Sequence, residues 1–163
     1  MIAVQNHDMS ETTKKNLHVN PRSPGILIAD DKGLILALLK LELEPRGFTV
    51  WLAVDGDDAL DLYRRNRADI DLVLLDVQMP GMDGPHTLAA LQQLDPDVLA
   101  CFMTGNSGAY TADDLLECGA ARVFSKPFLV AEMAHFLQEL AESADSSQAR
   151  AEKPPFRQGR QTQ

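Results

Sequence analysis

The stretch LVLLDVQMPGMDG (72–84) sets four apolar residues in a row, ends them on a carboxylate and breaks at once into a Met-Pro-Gly loop. Consecutive Leu and Val without polar alternation describe a strand covered on both faces, as in a parallel sheet. An ionised Asp76 at its end must face solvent, pair with a cation or hold a metal, because an isolated buried charge is too costly. The choice depends on what the rest of the chain brings to the same place.

On either side of this stretch, strand-like and helix-like segments alternate five times. ILIA (26–29) precedes LILALLKLELE (34–44), which stops at Pro45 and Gly47. FTVWLAV (48–54) precedes GDDALDLYRRN (56–66), and LVLLD (72–76) precedes PHTLAALQQL (85–94), with proline in its first turn. VLACFM (98–103) leads to GAYTADDLLECG (108–119), and ARVFS (121–125) leads to LVAEMAHFLQEL (129–140). Strict βα alternation with short connections predicts a parallel sheet with helices on both faces. Right-handed crossovers and five strands suit a doubly wound, flavodoxin-like (βα)5 fold of strand order 2-1-3-4-5. Ligands of such sheets bind at the carboxyl ends of the strands.

That rule collects the polar residues. The first strand ends in Asp30-Asp31, the third in Asp76, the fourth in Thr104, and the fifth runs into Lys126-Pro127. Carboxylates crowded at one edge repel, at roughly 4 kcal/mol per pair for about 4 Å and an effective dielectric near 20. A hard dication relieves this. Mg²⁺ fits best, since one or two carboxylates, a backbone carbonyl and waters satisfy it; the loop at Gln78 offers the carbonyl. An Asp beside Mg²⁺ and a fixed ammonium can attack phosphorus, with the cations neutralising the transferring phosphoryl group. Thr104 would then donate to a phosphoryl oxygen. The competing readings are structural: Asp30-Asp31 as a helix N-cap pair, Asp83 as a turn or cap residue, Thr104 satisfying a loop, Lys126 as a solvated charge.

With 163 residues, 45% of them hydrophobic, the chain has room for one domain with a full core. No apolar run approaches the roughly 18–20 residues of a membrane span, and the N-terminus lacks the order of a secretory signal. Cys101 and Cys118 read as buried thiols of a cytoplasmic protein. His7, His18, His86 and His135 are dispersed and read as surface or tail residues. Residues 1–24 and 144–163 are polar and aperiodic, predicting flexible tails around a compact unit at 25–143. Of the net charge of −9, residues 25–144 hold 8 Lys and Arg against 20 Asp and Glu. So acidic a body disfavours direct DNA binding and favours a cation or a basic partner surface.

ILIADDKG, LVLLDVQMPGMDG, FMTGNS and VFSKPF, in that order at successive strand ends, resemble the signature segments of the bacterial response-regulator receiver domain (CheY-like). The resemblance covers about 25–143. It implies that Asp76 accepts a phosphoryl group from a sensor histidine kinase or phosphotransfer protein. Asp30 and Asp31 would hold Mg²⁺, with Asp31 the direct ligand, and Thr104 and Lys126 would bind the phosphoryl group. It also implies a cis Lys126-Pro127 bond, tuning of phosphate lifetime by Gln78 and Asn106, and a downstream protein target. The short remainder after residue 144 suggests a stand-alone receiver. One departure stands out. Many receivers carry an aromatic switch residue three positions before the Lys; here that position is Val123, and Phe124 beside it would face the other way. Two further functions compete: a constitutive receiver-fold module that is never phosphorylated, and a metal-dependent phosphatase, for which a D-x-D-x-T segment is missing.

Overall fold

The computed structural model describes residues 22–105 and 108–151, with side chains described as far as residue 146. Along the chain run β1 (Gly25–Ala29), α1 (Gly33–Leu43), a 3₁₀ turn (Glu44–Arg46), β2 (Thr49–Ala53), α2 (Gly56–Asn66) and β3 (Leu72–Asp76). They are followed by α3 (Gly84–Leu94), β4 (Leu99–Gly105), α4 (Ala112–Glu117), β5 (Arg122–Lys126) and α5 (Val130–Ala151). The five strands form one sheet in the order β2-β1-β3-β4-β5, every pairing parallel. This is the expected doubly wound arrangement.

The period of two along each strand divides the core in half. Leu27, Ala29, Val73, Leu75 and Phe102 point to the layer holding α2 and α3, where Leu60, Tyr63, Leu88 and Leu91 cover them. Ile26, Ile28, Leu72, Leu74, Cys101 and Met103 point to the other layer, against Leu36 and Leu39 of α1 and Met133 and Leu137 of α5. The continuous apolar runs of β1 and β3 are therefore explained: all five residues of each strand are buried. Trp51 is half-buried and packs against the first of these layers. Cys101 is buried and Cys118 only half-buried, both as free thiols; burial pushes the Cys101 thiol up to about 12.

Three boundaries differ from the sequence expectation. Helix α4 is confined to Ala112–Glu117, six residues rather than the whole of 108–119. Thr111 stops it on the N-terminal side with a capping box: its hydroxyl accepts from the Asp114 N–H at 3.1 Å, and the Asp114 carboxylate accepts from the Thr111 N–H at 2.7 Å. Helix α5 continues to Ala151, past the expected end of the compact unit at 143. Its extension is made of Ala, Asp, Ser, Gln and Arg, with no Gly or Pro before Pro154. At the other end, residues before 25 also pack on the domain. Arg22 grips Asp71 through two bonds of 3.1 and 2.6 Å, and the Pro24 carbonyl accepts from the Thr49 N–H at 2.9 Å. The expected tails 1–21 and 152–163 lie outside the described residues.

Candidate functional site

Parallel register decides which strand ends meet. Ala29 pairs with Leu75, so Asp30 leaves β1 beside Asp76, the last residue of β3. Asp76 pairs with Met103, Thr104 with Ser125, and Gly105 with Lys126. Lys126 thus sits two strand spacings, roughly 10 Å, from β3, a gap that needs the longest side chains. It passes Gly105, where a Cβ would lie 4.0 Å from the Lys126 Cδ. Its ammonium donates to Asp30 Oδ2 and Asp76 Oδ1, both at 2.8 Å. Gly84 brings α3 closer still, since a Cβ there would lie 2.4 Å from the Asp76 carbonyl oxygen.

The electrostatics of this edge are uneven. Asp30 is fully buried and Asp76 is 2% exposed. Asp30 Oδ1 accepts from the Lys32 N–H at 2.8 Å, completing its carboxylate. Asp76 Oδ2 is buried with no hydrogen-bond partner among the described residues. Burial pushes the Asp76 carboxyl above its ordinary range; the Lys126 hydrogen bond opposes this and the Asp30 charge adds to it. Burial works against the Lys126 charge, but its bonds to Asp30 and Asp76 outweigh that and raise its pKa. Oxygens of Asp30, Asp31 and Asp76 lie within 4.8 Å of one another, close to the roughly 4 Å that separates opposite ligands on one octahedral Mg²⁺. An orphaned acceptor beside a hard-oxygen trio fits a divalent cation.

Of the residues singled out from sequence, Asp30, Asp31, Asp76 and Lys126 converge here. Thr104 is at the end of β4, half-buried, its hydroxyl donating only a long 3.4 Å contact to the Gly105 carbonyl. Gln78 lines the adjoining cleft together with Asp31, Lys32, Asp83 and Tyr110. Asn106 lies outside the described residues. The Lys126-Pro127 bond is cis, as the resemblance implied. Asp83 is a cap, as its sequence context suggested, accepting from the His86 N–H at 2.9 Å at the start of α3. Val123 and Phe124 do face opposite layers, Val123 toward Phe102 and its neighbours, Phe124 toward Met133 and Phe136.

Sequence reasoning missed one tie. The Tyr110 hydroxyl donates to Asp83 Oδ2 at 2.9 Å, joining the β4–α4 loop to the N-terminus of α3. Asp83 also meets the His86 ring at 2.6 Å. Burial would raise the Asp83 carboxyl, but hydrogen bonds from the His86 amide and ring and from Tyr110 hold it below the usual range. The cap was legible from residues 83–86; a partner 27 positions away was not.

Comparison with known proteins agrees with this fold. The family model of the response regulator receiver domain matches residues 26–138. The transcriptional regulatory protein PrrA of Mycobacterium tuberculosis is 39% identical over 111 residues, 68% of this chain and 47% of that protein. The chain therefore spans about half the length of that relative. Sporulation initiation phosphotransferase F of Bacillus subtilis is 35% identical over 108 residues, 66% of this chain and 86% of that protein. Among solved structures, the CheX-CheY-BeF3-Mg²⁺ complex from Borrelia burgdorferi matches with a TM-score of 0.66 at 26% identity, covering 72% of this chain and 88% of that one.

Proposed function

The chain belongs to the response regulator receiver domain family, and from that premise we propose that it accepts a phosphoryl group on Asp76 in a Mg²⁺-dependent reaction and thereby switches protein–protein contacts. The observation that carries this is Asp76 itself: a buried carboxylate with one oxygen held by Lys126 and the other without a partner among the described residues. A structural aspartate would have both oxygens satisfied. Asp30, Asp31, Asp76 and the Gln78 carbonyl would hold Mg²⁺, which when bound neutralises charge on the transferring phosphoryl group. The donor is a phosphohistidine on a sensor kinase or phosphotransfer protein. An Asp76 oxygen forms the new O–P bond as the donor's P–N bond breaks; the leaving imidazole nitrogen keeps the electron pair and takes a proton from solvent. Lys126 keeps Asp76 aimed and holds a phosphoryl oxygen. Thr104, loosely engaged through its 3.4 Å contact, is available to donate to another.

With Val123 where an aromatic ring would act, the response is proposed to centre on the β4–α4 loop and the start of α4. Hydrogen exchange with and without beryllofluoride would then change over about 104–116 and little along β5. The cellular setting proposed is the cytoplasm, where free thiols persist; no described helix is long and apolar enough to cross a membrane. DNA contact by the acidic body is not part of this reading. Incubation with Mg²⁺ and acetyl phosphate followed by intact mass tests it directly. Gain of one phosphoryl group supports the switch, whereas no gain favours a constitutive binding module, and sustained donor turnover without an adduct favours a phosphatase.

A further inference from the structure

Lys32 follows the acidic pair directly and has no part in the reaction described above. Its N–H is committed to Asp30 Oδ1, but its ammonium stands 3.4 Å from Asp31 Oδ1. The site thus sets two cations of different character against its three carboxylates. The Lys126 side chain is 18% exposed and makes two bonds of 2.8 Å. The Lys32 side chain is 62% exposed and makes one long contact, to the most exposed carboxylate of the trio. Lys32 also lines the cleft, about 520 Å³, that opens beside Asp31, Gln78 and Tyr110. With both lysines counted the cluster carries one net negative charge; without Lys32 it would carry two, the amount a divalent cation neutralises.

We propose that Lys32 is a positioning residue for phosphorylation, lowering the affinity of Asp31 for the divalent cation and, once displaced from Asp31, drawing doubly charged phosphodonors into the cleft. The inference rests on the reading of Asp76 and Mg²⁺ given above. Because the pair is largely solvated, the effect is modest: an exposed ion pair is worth at most about a fivefold change in an equilibrium constant. The attraction of a free phosphodonor is long-range and therefore screened by salt.

The test is calorimetric titration of Mg²⁺ into the full chain, compared among wild type, Lys32→Ala and Lys32→Arg. Lys32→Ala is expected to bind Mg²⁺ about three- to fivefold more tightly, and Lys32→Arg within about twofold of wild type. At saturating Mg²⁺, Lys32→Ala should take up phosphoryl groups from acetyl phosphate about threefold more slowly, a gap that closes as KCl rises from about 0.05 to about 0.5 M. Phosphoramidate, with lower net charge, should show a smaller gap. Equal Mg²⁺ affinity in wild type and Lys32→Ala, while Asp31→Ala weakens binding, would overturn the role of Lys32 and leave the phosphorylation reading standing. A salt-independent rate gap would overturn the attraction of the donor. A wild-type protein that neither binds Mg²⁺ nor gains a phosphoryl group would overturn both readings together.

Discussion

The two ends of the sheet use the same residue types for opposite ends. At the amino edge, Asp71 accepts from Arg22 through both oxygens and from the Gly25 N–H at 2.7 Å. Asp95 there accepts from the Tyr63 hydroxyl at 2.8 Å, from the Asp97 N–H at 3.1 Å and from Arg67 at 3.4 Å. At the carboxyl edge, Asp76 is deeper than either, yet one of its oxygens has no donor among the described residues. The larger groove, about 1060 Å³, lies at the amino edge between Arg22, Tyr63, Asp95 and Leu140, where every carboxylate oxygen of Asp71 and Asp95 is satisfied. Size therefore does not mark the site; an acceptor left unsatisfied does. A completed network ties the chain together, and the incomplete one leaves the acceptor that the proposed cation would satisfy.

Exchanging carboxylates at the two edges should break the symmetry of residue type most sharply. Asp76→Asn should abolish phosphoryl uptake by intact mass, and Asp71→Asn should leave it unchanged; an Asp76→Asn protein that still gains one phosphoryl group in this region would remove the basis of the comparison. Next in size is the metal. Mg²⁺ at about 100 times its dissociation constant should stabilise the wild type by about 2.7 kcal/mol, chelation should reverse the rise in melting temperature, and Asp31→Ala should show little of it.

The stability effects of the two carboxylates should have opposite signs. Asp71→Ala removes the Arg22 and Gly25 bonds and should cost about 2 kcal/mol, or about 5 °C in melting temperature. Asp76→Asn should instead add about 1 kcal/mol at neutral pH, since it replaces an ion that burial disfavours. The sign follows from the raised Asp76 pKa: the wild-type contribution is favourable below the ordinary aspartate range and is lost as pH rises through the raised folded value. The advantage of Asp76→Asn should therefore shrink as pH falls toward about 4. Thermal melts that show both substitutions destabilising to the same degree at pH 7 would argue against an unsatisfied Asp76. The smallest effect belongs to the link between loops. Tyr110→Phe removes its bond to Asp83 and should speed amide exchange at the start of α3 and in residues 108–116, with melting temperature almost unmoved.

Much of this was written locally. Both-face burial of ILIA and LVLLD, and the proline and glycine stops, predicted five βα units, and polar residues placed just after apolar runs predicted that they gather at one edge of the sheet. These signals are readable because side-chain period and chain punctuation act over a few residues. What failed to show was non-local or cooperative. Composition placed the end of the compact unit at 143, yet α5 runs to Ala151: a helix already nucleated on the core propagates through Ala, Gln and Arg, and the Asp and Ser between them are weaker formers but not breakers. Arg22 looked like a tail residue, and only the approach of Asp71, 49 positions away, makes it an anchor.

Sequence alone determined which residues stand at the carboxyl ends of the strands: Asp30, Asp31, Asp76, Thr104 and Lys126. Only the tertiary structure decided how they share their partners. Parallel register sets Asp30 beside Asp76, two strand spacings bring Lys126 over Gly105 to both, and burial leaves Asp76 Oδ2 without a donor among the described residues while Asp31 faces Lys32 in solvent. Strand-end identity is a property of the chain, whereas the satisfaction of a buried acceptor depends on every neighbour that the packed sheet brings within about 3 Å of it.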